Sequence, residues 1–81
     1  MNKIDLTEMK PGQKGKVIEI HGGRGMIGKL EALGIRLGVE IMMVSGQMMH
    51  GPVIVQFGNT QVAIGFGMAR RVIIELVDKT V

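Results

Sequence analysis

Val53-Ile54-Val55-Gln56-Phe57-Gly58-Asn59-Thr60-Gln61-Val62-Ala63-Ile64 is the stretch that decides the architecture. Two short runs rich in β-branched side chains flank a Gly-Asn pair. Both residues of that pair tolerate positive φ, so the segment predicts a two-residue β-hairpin. Side chains alternate across a strand, which sets Val55 and Phe57 inward on the first arm and Val62 and Ile64 inward on the second.

Working upstream, Glu40-Ile41-Met42-Met43-Val44-Ser45 reads as another strand, with Ile41 and Met43 on one face. Between it and the hairpin lies Gly46-Gln47-Met48-Met49-His50-Gly51, a loop with glycine at both ends, closed by Pro52. Met48 and Met49 are expected at the loop tip, at least partly exposed, and as a cap over the barrel mouth ahead of a partner anchor. Residues 26–33 switch to helical spacing: Met26, Ile27, Leu30 and Leu33 share one face. Gly34 stands where a left-handed helix cap belongs, Ile35 can fold back onto the helix, and Gly38 marks a second turn. A strand at about 15–22 precedes the helix; its adjacent Val17 and Ile18 break the alternation and predict a bulge or burial on both faces. Residues 1–12 form a lead-in, with Leu6 and Met9 spaced as in one helical turn and Pro11-Gly12 ending it.

Downstream of the hairpin, Gly65-Phe66-Gly67-Met68-Ala69-Arg70 is a compact turn of one 3₁₀-like revolution. Phe66 is expected as a core plug first and a partner contact second. The last strand is Arg71-Val72-Ile73-Ile74-Glu75-Leu76. Five short strands with one short inserted helix predict a mainly β, single-domain chain over residues 1–81, closed as a small barrel so that edge strands are paired.

Composition narrows the function classes. The 81 residues suffice for one domain with a thin core. Phe57 and Phe66 are the only aromatics besides histidine, so the 8 Met fill gaps that rings fill elsewhere. With no cysteine, disulfides, thiolate metal sites and cysteine nucleophiles are excluded together. Asp5 and Glu8 interrupt the apolar character of the N-terminal stretch, and no run approaches the roughly 18 apolar residues of a membrane span. The expectation is a cytoplasmic protein without membrane insertion.

Chemistry is sparse. Gly22-Gly23-Arg24-Gly25 invites a phosphate-cradle reading, but the Gly-Lys-Ser/Thr ending of a P-loop is missing, and a flexible turn before a helix is the expectation. His21 and His50 are far apart in sequence and stand in no ligand-spaced pair with each other or with a glutamate. Met48-Met49-His50 suits a soft cation better than ferrous iron, yet two turn histidines remain the expectation, with no metal and no cofactor. Ser45, Thr7, Thr60 and Thr80 have no base near them in sequence, so no catalytic residue is assigned, no small-molecule substrate is expected, and the chain is read as a non-enzyme. Proline-rich peptides need an aromatic-lined groove that this composition does not supply.

Taken together, Leu6…Met9-x-Pro11-Gly12-x-x-Gly15-x-Val17-x-x-Ile20, then Leu30-x-x-Leu33-Gly34-Ile35-x-x-Gly38-x-x-Ile41, resembles the FeoA family. So does Gly51-Pro52-x-x-Val55-x-Phe57-Gly58-x-x-x-Val62-Ala63-Ile64, followed by Ala69-x-x-Val72-x-Ile74. The resemblance runs from about residue 4 to 76 and rests on the order and spacing of these motifs together. It implies an SH3-like barrel and an accessory or regulatory role in ferrous iron uptake, by docking on the cytosolic face of a FeoB-type GTPase-transporter. It also implies a barrel shared with the terminal domain of iron-dependent repressors, whose DNA-binding helices this chain lacks. Two positions depart from the family: Leu37 replaces a frequent proline, and Gly65-Phe66-Gly67-Met68 replaces a more charged, helix-friendly turn. From loop position and composition, the candidate partner contacts are Met48, Met49, His50, Phe66, Arg70 and Arg71.

One alternative comes from another resemblance. Pro11-Gly12-Gln13-Lys14-Gly15-Lys16-Val17-Ile18-Glu19-Ile20 is similar to a KOW-type strand-loop of RNA-binding modules, with Lys10, Lys14 and Lys16 available to phosphates. The net charge of only +3 and the absence of aromatic stacking platforms count against a nucleic-acid partner.

Overall fold

The structure is a computed structural model that describes residues 2–46 and 48–77. Its elements in chain order are β1 (Lys3–Asp5), a 3₁₀ turn (Leu6–Glu8), β2 (Lys14–Ile20), α1 (Arg24–Leu33), β3 (Glu40–Ser45), β4 (Val53–Phe57), β5 (Thr60–Ile64), α2 (Phe66–Ala69) and β6 (Val72–Leu76). All five expected strands are present, and the fold is the expected mainly β, SH3-like one. The lead-in adds a sixth short strand ahead of its single turn. The antiparallel order is β1-β6-β2-β3-β4-β5, and among the described residues β1 and β5 do not pair with each other. The coiled sheet therefore curls round its core without closing its hydrogen-bond ladder. β1 lasts three residues before Asp5 becomes the cap of the 3₁₀ turn, accepting from Thr7 N–H while Glu8 accepts from Asp5 N–H at 2.9 Å.

The hairpin forms as the sequence requires, with Phe57 opposite Thr60, Val55 opposite Val62 and Val53 opposite Ile64. Gly58 alone of the turn pair has positive φ, at 60°, the sign pattern of a type II′ turn with glycine first. In β2 the register shifts between Val17 and Glu19, so Ile18 is the extra residue of a bulge. The bulge restores the pleat: Val17 and the partner of Ile20, Val72, are buried while Glu19 points to solvent.

At the C-terminus of α1 the backbone closes a Schellman motif. Gly34, at φ 99°, donates to the Glu31 carbonyl, and Ile35 N–H reaches back to Leu30 at 2.9 Å. Leu30 and Ile35 are both completely buried in the core, so the cap and its hydrophobic contact fasten the helix to the sheet. The core runs from Leu6 and Met9 through Val17, Ile41, Met43, Val53, Val55 and Ile64 to Val72 and Ile74. Each such aliphatic side chain contributes roughly 1.5–3 kcal/mol on leaving water. No buried side chain among the described residues is polar or charged.

The outer face carries the charges in an ordered row. Register sets Lys3 opposite Glu75, Glu75 opposite Lys16, and Lys16 opposite Glu40, alternating in sign across β1, β6, β2 and β3. Beside it, Lys14 stands opposite Met42 and Met42 opposite Gln56, whose amide oxygen accepts from Gln61 at 2.9 Å.

Candidate functional site

The loop between β3 and β4 and the short helix α2 meet at one end of the molecule. Gly51 N–H donates to the Met48 carbonyl at 3.0 Å, and the two residues between them, Met49 and His50, have φ of 53° and 63°. That is the pattern of a type I′ turn, which favours Asn and Gly at its centre. Here its centre is Met-His, and the left-handed region costs an L-residue about 1–2 kcal/mol. Pro52 follows at once and directs the chain into β4.

The turn holds its thioethers in solvent. Met48 is 81% exposed and Met49 92% exposed, the two most exposed large apolar side chains among the described residues. The expected cap over the barrel mouth is thereby overturned. Both side chains are too exposed to cover anything, and neither belongs to the core cluster or to the side chains packed against it. Exposure at the loop tip, the other half of that expectation, is what the structure has.

His50 is also exposed, with its ring laid against α2. Its ring meets Phe66 edge-on, with centroids 4.7 Å apart and planes at 70°. Such a pair contributes about 0.5–1.5 kcal/mol beyond simple burial. The Arg70 guanidinium carbon stands 5.9 Å from the Phe66 centroid, within cation–π range. α2 sets this spacing, because Phe66 and Arg70 are four residues apart and Arg70 N–H donates to the Phe66 carbonyl at 3.0 Å. Phe66 is half-buried and stands outside the core cluster, so it is not the core plug the sequence suggested. Ala69, completely buried, anchors α2 in its place.

Five of the six candidate contacts therefore share one end: Met48, Met49, His50, Phe66 and Arg70. Arg71 is placed otherwise. Its carbonyl accepts from His21 N–H at 2.8 Å, and its Cδ lies beside Gly22. The strain at Met49 left no mark in the sequence, since methionine is not a residue that left-handed turns select, whereas histidine is enriched at positive φ; the flanking Gly51-Pro52 marked a turn there.

A second surface cluster lies on β1 and β2. His21 Nε2 is 2.8 Å from Glu19 Oε1, and Lys3 Nζ is 3.7 Å from the other carboxylate oxygen. The hydrogen bond from His21 chiefly, with the charge of Lys3 behind it, holds the Glu19 carboxyl below the usual carboxylate range. Among the described residues no three His, Cys, Asp or Glu side chains gather. An open groove of about 210 Å³ lies over the outer face between Lys14, Glu40, Met42, Gln56 and Phe57. No described helix is long and apolar enough to cross a membrane.

The FeoA domain model matches residues 4–76. The chain belongs to the FeoA family. A Methanocaldococcus jannaschii protein named, by inference, Fe(2+) transport protein A is 32% identical over 70 residues, which cover 86% of this chain and 83% of that one. The crystal structure of an iron uptake regulatory protein, FeoA, is 36% identical with a TM-score of 0.87, covering 94% of this chain and 100% of that chain. A manganese-dependent transcriptional repressor, at 18% identity and a TM-score of 0.85, shares the fold over 93% of this chain and 42% of its own. Within the FeoA framework, the first departure noted in the sequence is on the surface and the second is half-buried, with Met68 packed against the core. Leu37 is 65% exposed ahead of Gly38, and Gly65-Phe66-Gly67-Met68 supplies the ring against which His50 and Arg70 are set.

Proposed function

We propose that this FeoA domain is a non-enzymatic accessory protein of ferrous iron uptake that docks on the cytosolic face of a FeoB-type transporter. Its working surface is the Met48-Met49 turn with the His50–Phe66–Arg70 cluster behind it; Arg71, beside Gly22, is left out of it. One observation carries this reading: two adjacent, almost fully exposed thioethers on a turn whose backbone is held in an unfavourable conformation. Exposed, unbranched apolar side chains suit an adaptable contact, and stored strain collects at sites of use. The domain regulates by differential affinity, binding one conformational or oligomeric state of the transporter more tightly than another. Membership of the family and the name of the archaeal relative support the connection to iron.

The lysines of β2 support a nucleic-acid partner less well. Lys16 stands between Glu75 and Glu40, so the strand offers phosphates an alternating row instead of a basic stripe.

The test is an NMR titration of the labelled chain with the cytosolic part of the transporter. Shifts centred on Met48, Met49, His50, Phe66 and Arg70 are expected. Replacing Met48 and Met49 together by Ser is expected to weaken binding about tenfold with the melting temperature unchanged. Shifts confined to Lys10, Lys14 and Lys16, competed away by RNA, would overturn the reading.

A further inference from the structure

The seven methionines among the described residues occupy three distinct environments. Met9 and Met43 are buried in the core, at 3% and 0% exposure. Met26, Met42 and Met68 are half-buried. Met48 and Met49 alone are exposed, side by side on one turn. We infer that Met48 and Met49 form a reversible methionine-sulfoxide site, through which a peroxide oxidant switches the docking surface off. The switch rests on the docking reading above; the site itself does not.

The chemistry needs one co-reactant, hydrogen peroxide or another two-electron peroxide. The thioether sulfur attacks one peroxide oxygen. A sulfur–oxygen bond forms, the oxygen–oxygen bond breaks and sulfur gives up two electrons; the proton on the transferred oxygen passes to the departing one, which leaves as water from hydrogen peroxide or as an alcohol from an alkyl hydroperoxide. Thiol-dependent reductases return each sulfoxide to the thioether, one enzyme for each epimer. The reaction requires the oxidant to reach sulfur, so exposure ranks the candidates, and the chain has no cysteine to consume the oxidant first.

The geometry separates the effect on binding from any effect on folding. Neither side chain belongs to the core cluster, so a polar sulfoxide at either position removes no interior packing. What changes is the surface: two flexible apolar groups become polar and chiral, and an apolar site on a partner must then take up an oxygen it does not pair. His50, Phe66 and Arg70 hold no sulfur, so the platform behind the turn keeps its chemistry.

The experiment treats the intact chain with hydrogen peroxide and maps sulfoxides by peptide mass spectrometry over time. Met48 and Met49 are expected to oxidise first, ahead of Met26, Met42 and Met68, with Met9 and Met43 last. The melting temperature should hold once those two are converted, and reductase treatment should restore the starting mass. Comparable rates at Met48, Met49 and the half-buried methionines would overturn the site. In the second arm, the oxidised chain is titrated against the cytosolic part of the transporter. About tenfold weaker binding than the reduced chain is expected, and the variant with Met48→Leu and Met49→Leu should keep its affinity through the same treatment. Equal binding before and after oxidation overturns the switch while leaving docking intact. Absence of binding by the reduced chain overturns docking and the switch together, whatever the sulfoxide map shows.

Discussion

The edge of the Phe57 ring occupies the space that a Cβ on Gly34 would take: Cε2 would lie 2.6 Å from it and Cζ 2.8 Å. The same glycine has φ 99° at the end of α1, so one residue answers two demands, a left-handed cap and a ring at van der Waals distance. Gly38 isolates the first demand, because it has φ 89° with nothing within 4 Å of its would-be Cβ. Gly38→Ala is expected to cost about 1 kcal/mol from backbone strain alone. Gly34→Ala should cost about 3 kcal/mol, since the ring must also move. Urea midpoints of the two variants check this, and equal midpoints would show that Phe57 yields without cost.

Gly15 answers a different demand. It sits within β2, and a Cβ there would fall 2.1 Å from Ile74 Cγ2 and 3.0 Å from the Glu75 carbonyl oxygen. The missing side chain leaves the space that the Ile74 side chain of the paired strand β6 occupies. Gly15→Ala is expected to destabilise by about 2–3 kcal/mol, and Ile74→Ala alone by about 2–5 kcal/mol through the cavity it leaves. Together they should cost less than their sum by about 1–2 kcal/mol, because the alanine methyl enters space that Cγ2 has vacated. A double-mutant cycle by chemical denaturation measures that coupling.

These two glycines also show where the sequence was legible and where it was not. Gly34 was readable as a cap because a helical period ends at Leu33 and Ile35 follows to fold back. Phe57 behind it was not, because that contact joins residues distant along the chain. The bulge at Ile18 was readable because Val17 and Ile18 break a period of two. β1 was not, since three residues carry too little alternation to announce a strand. At the candidate site, loop position drew attention to Met48, Met49 and His50, and all three stand where a partner can reach them. The expected cap failed because length and flexibility say only that a methionine can fold over a mouth, and whether it does is settled at the tertiary level, where Met48 and Met49 are left exposed. The edge contact of His50 on Phe66 belongs to the tertiary level, as does the placement of Arg71 beside Gly22, one residue yet one direction away from Arg70.

The left-handed turn at Met49 sets stability against use. Glycine enters this region of backbone space without the Cβ clash that methionine meets. Met49→Gly is therefore expected to raise stability by about 0.5–1 kcal/mol, although the change only removes an exposed apolar side chain and adds no packing. On the docking proposed above, the same variant should bind the transporter's cytosolic part more weakly. Thermal melts and the NMR titration read the two effects separately. A variant that loses stability would show that Met49 is held by packing and that the turn stores no strain.

Glu19 gives the pH dependence its sign. Its carboxyl sits below the usual range because the ionised form accepts from His21 and faces Lys3. A group whose folded-state value is depressed binds fewer protons folded than unfolded in that window, so stability rises with pH there. The contribution is complete above the ordinary carboxylate range and disappears as pH falls through the lowered value. Because the pair is solvent-exposed, salt should weaken the effect. The check is a carboxyl-carbon NMR titration of Glu19. His21→Ala should move its midpoint up toward the ordinary value, and Lys3→Ala should move it up by less, since the hydrogen bond outweighs the more distant ammonium. A midpoint that stays put in His21→Ala would show that the contact between the two side chains does not persist in solution.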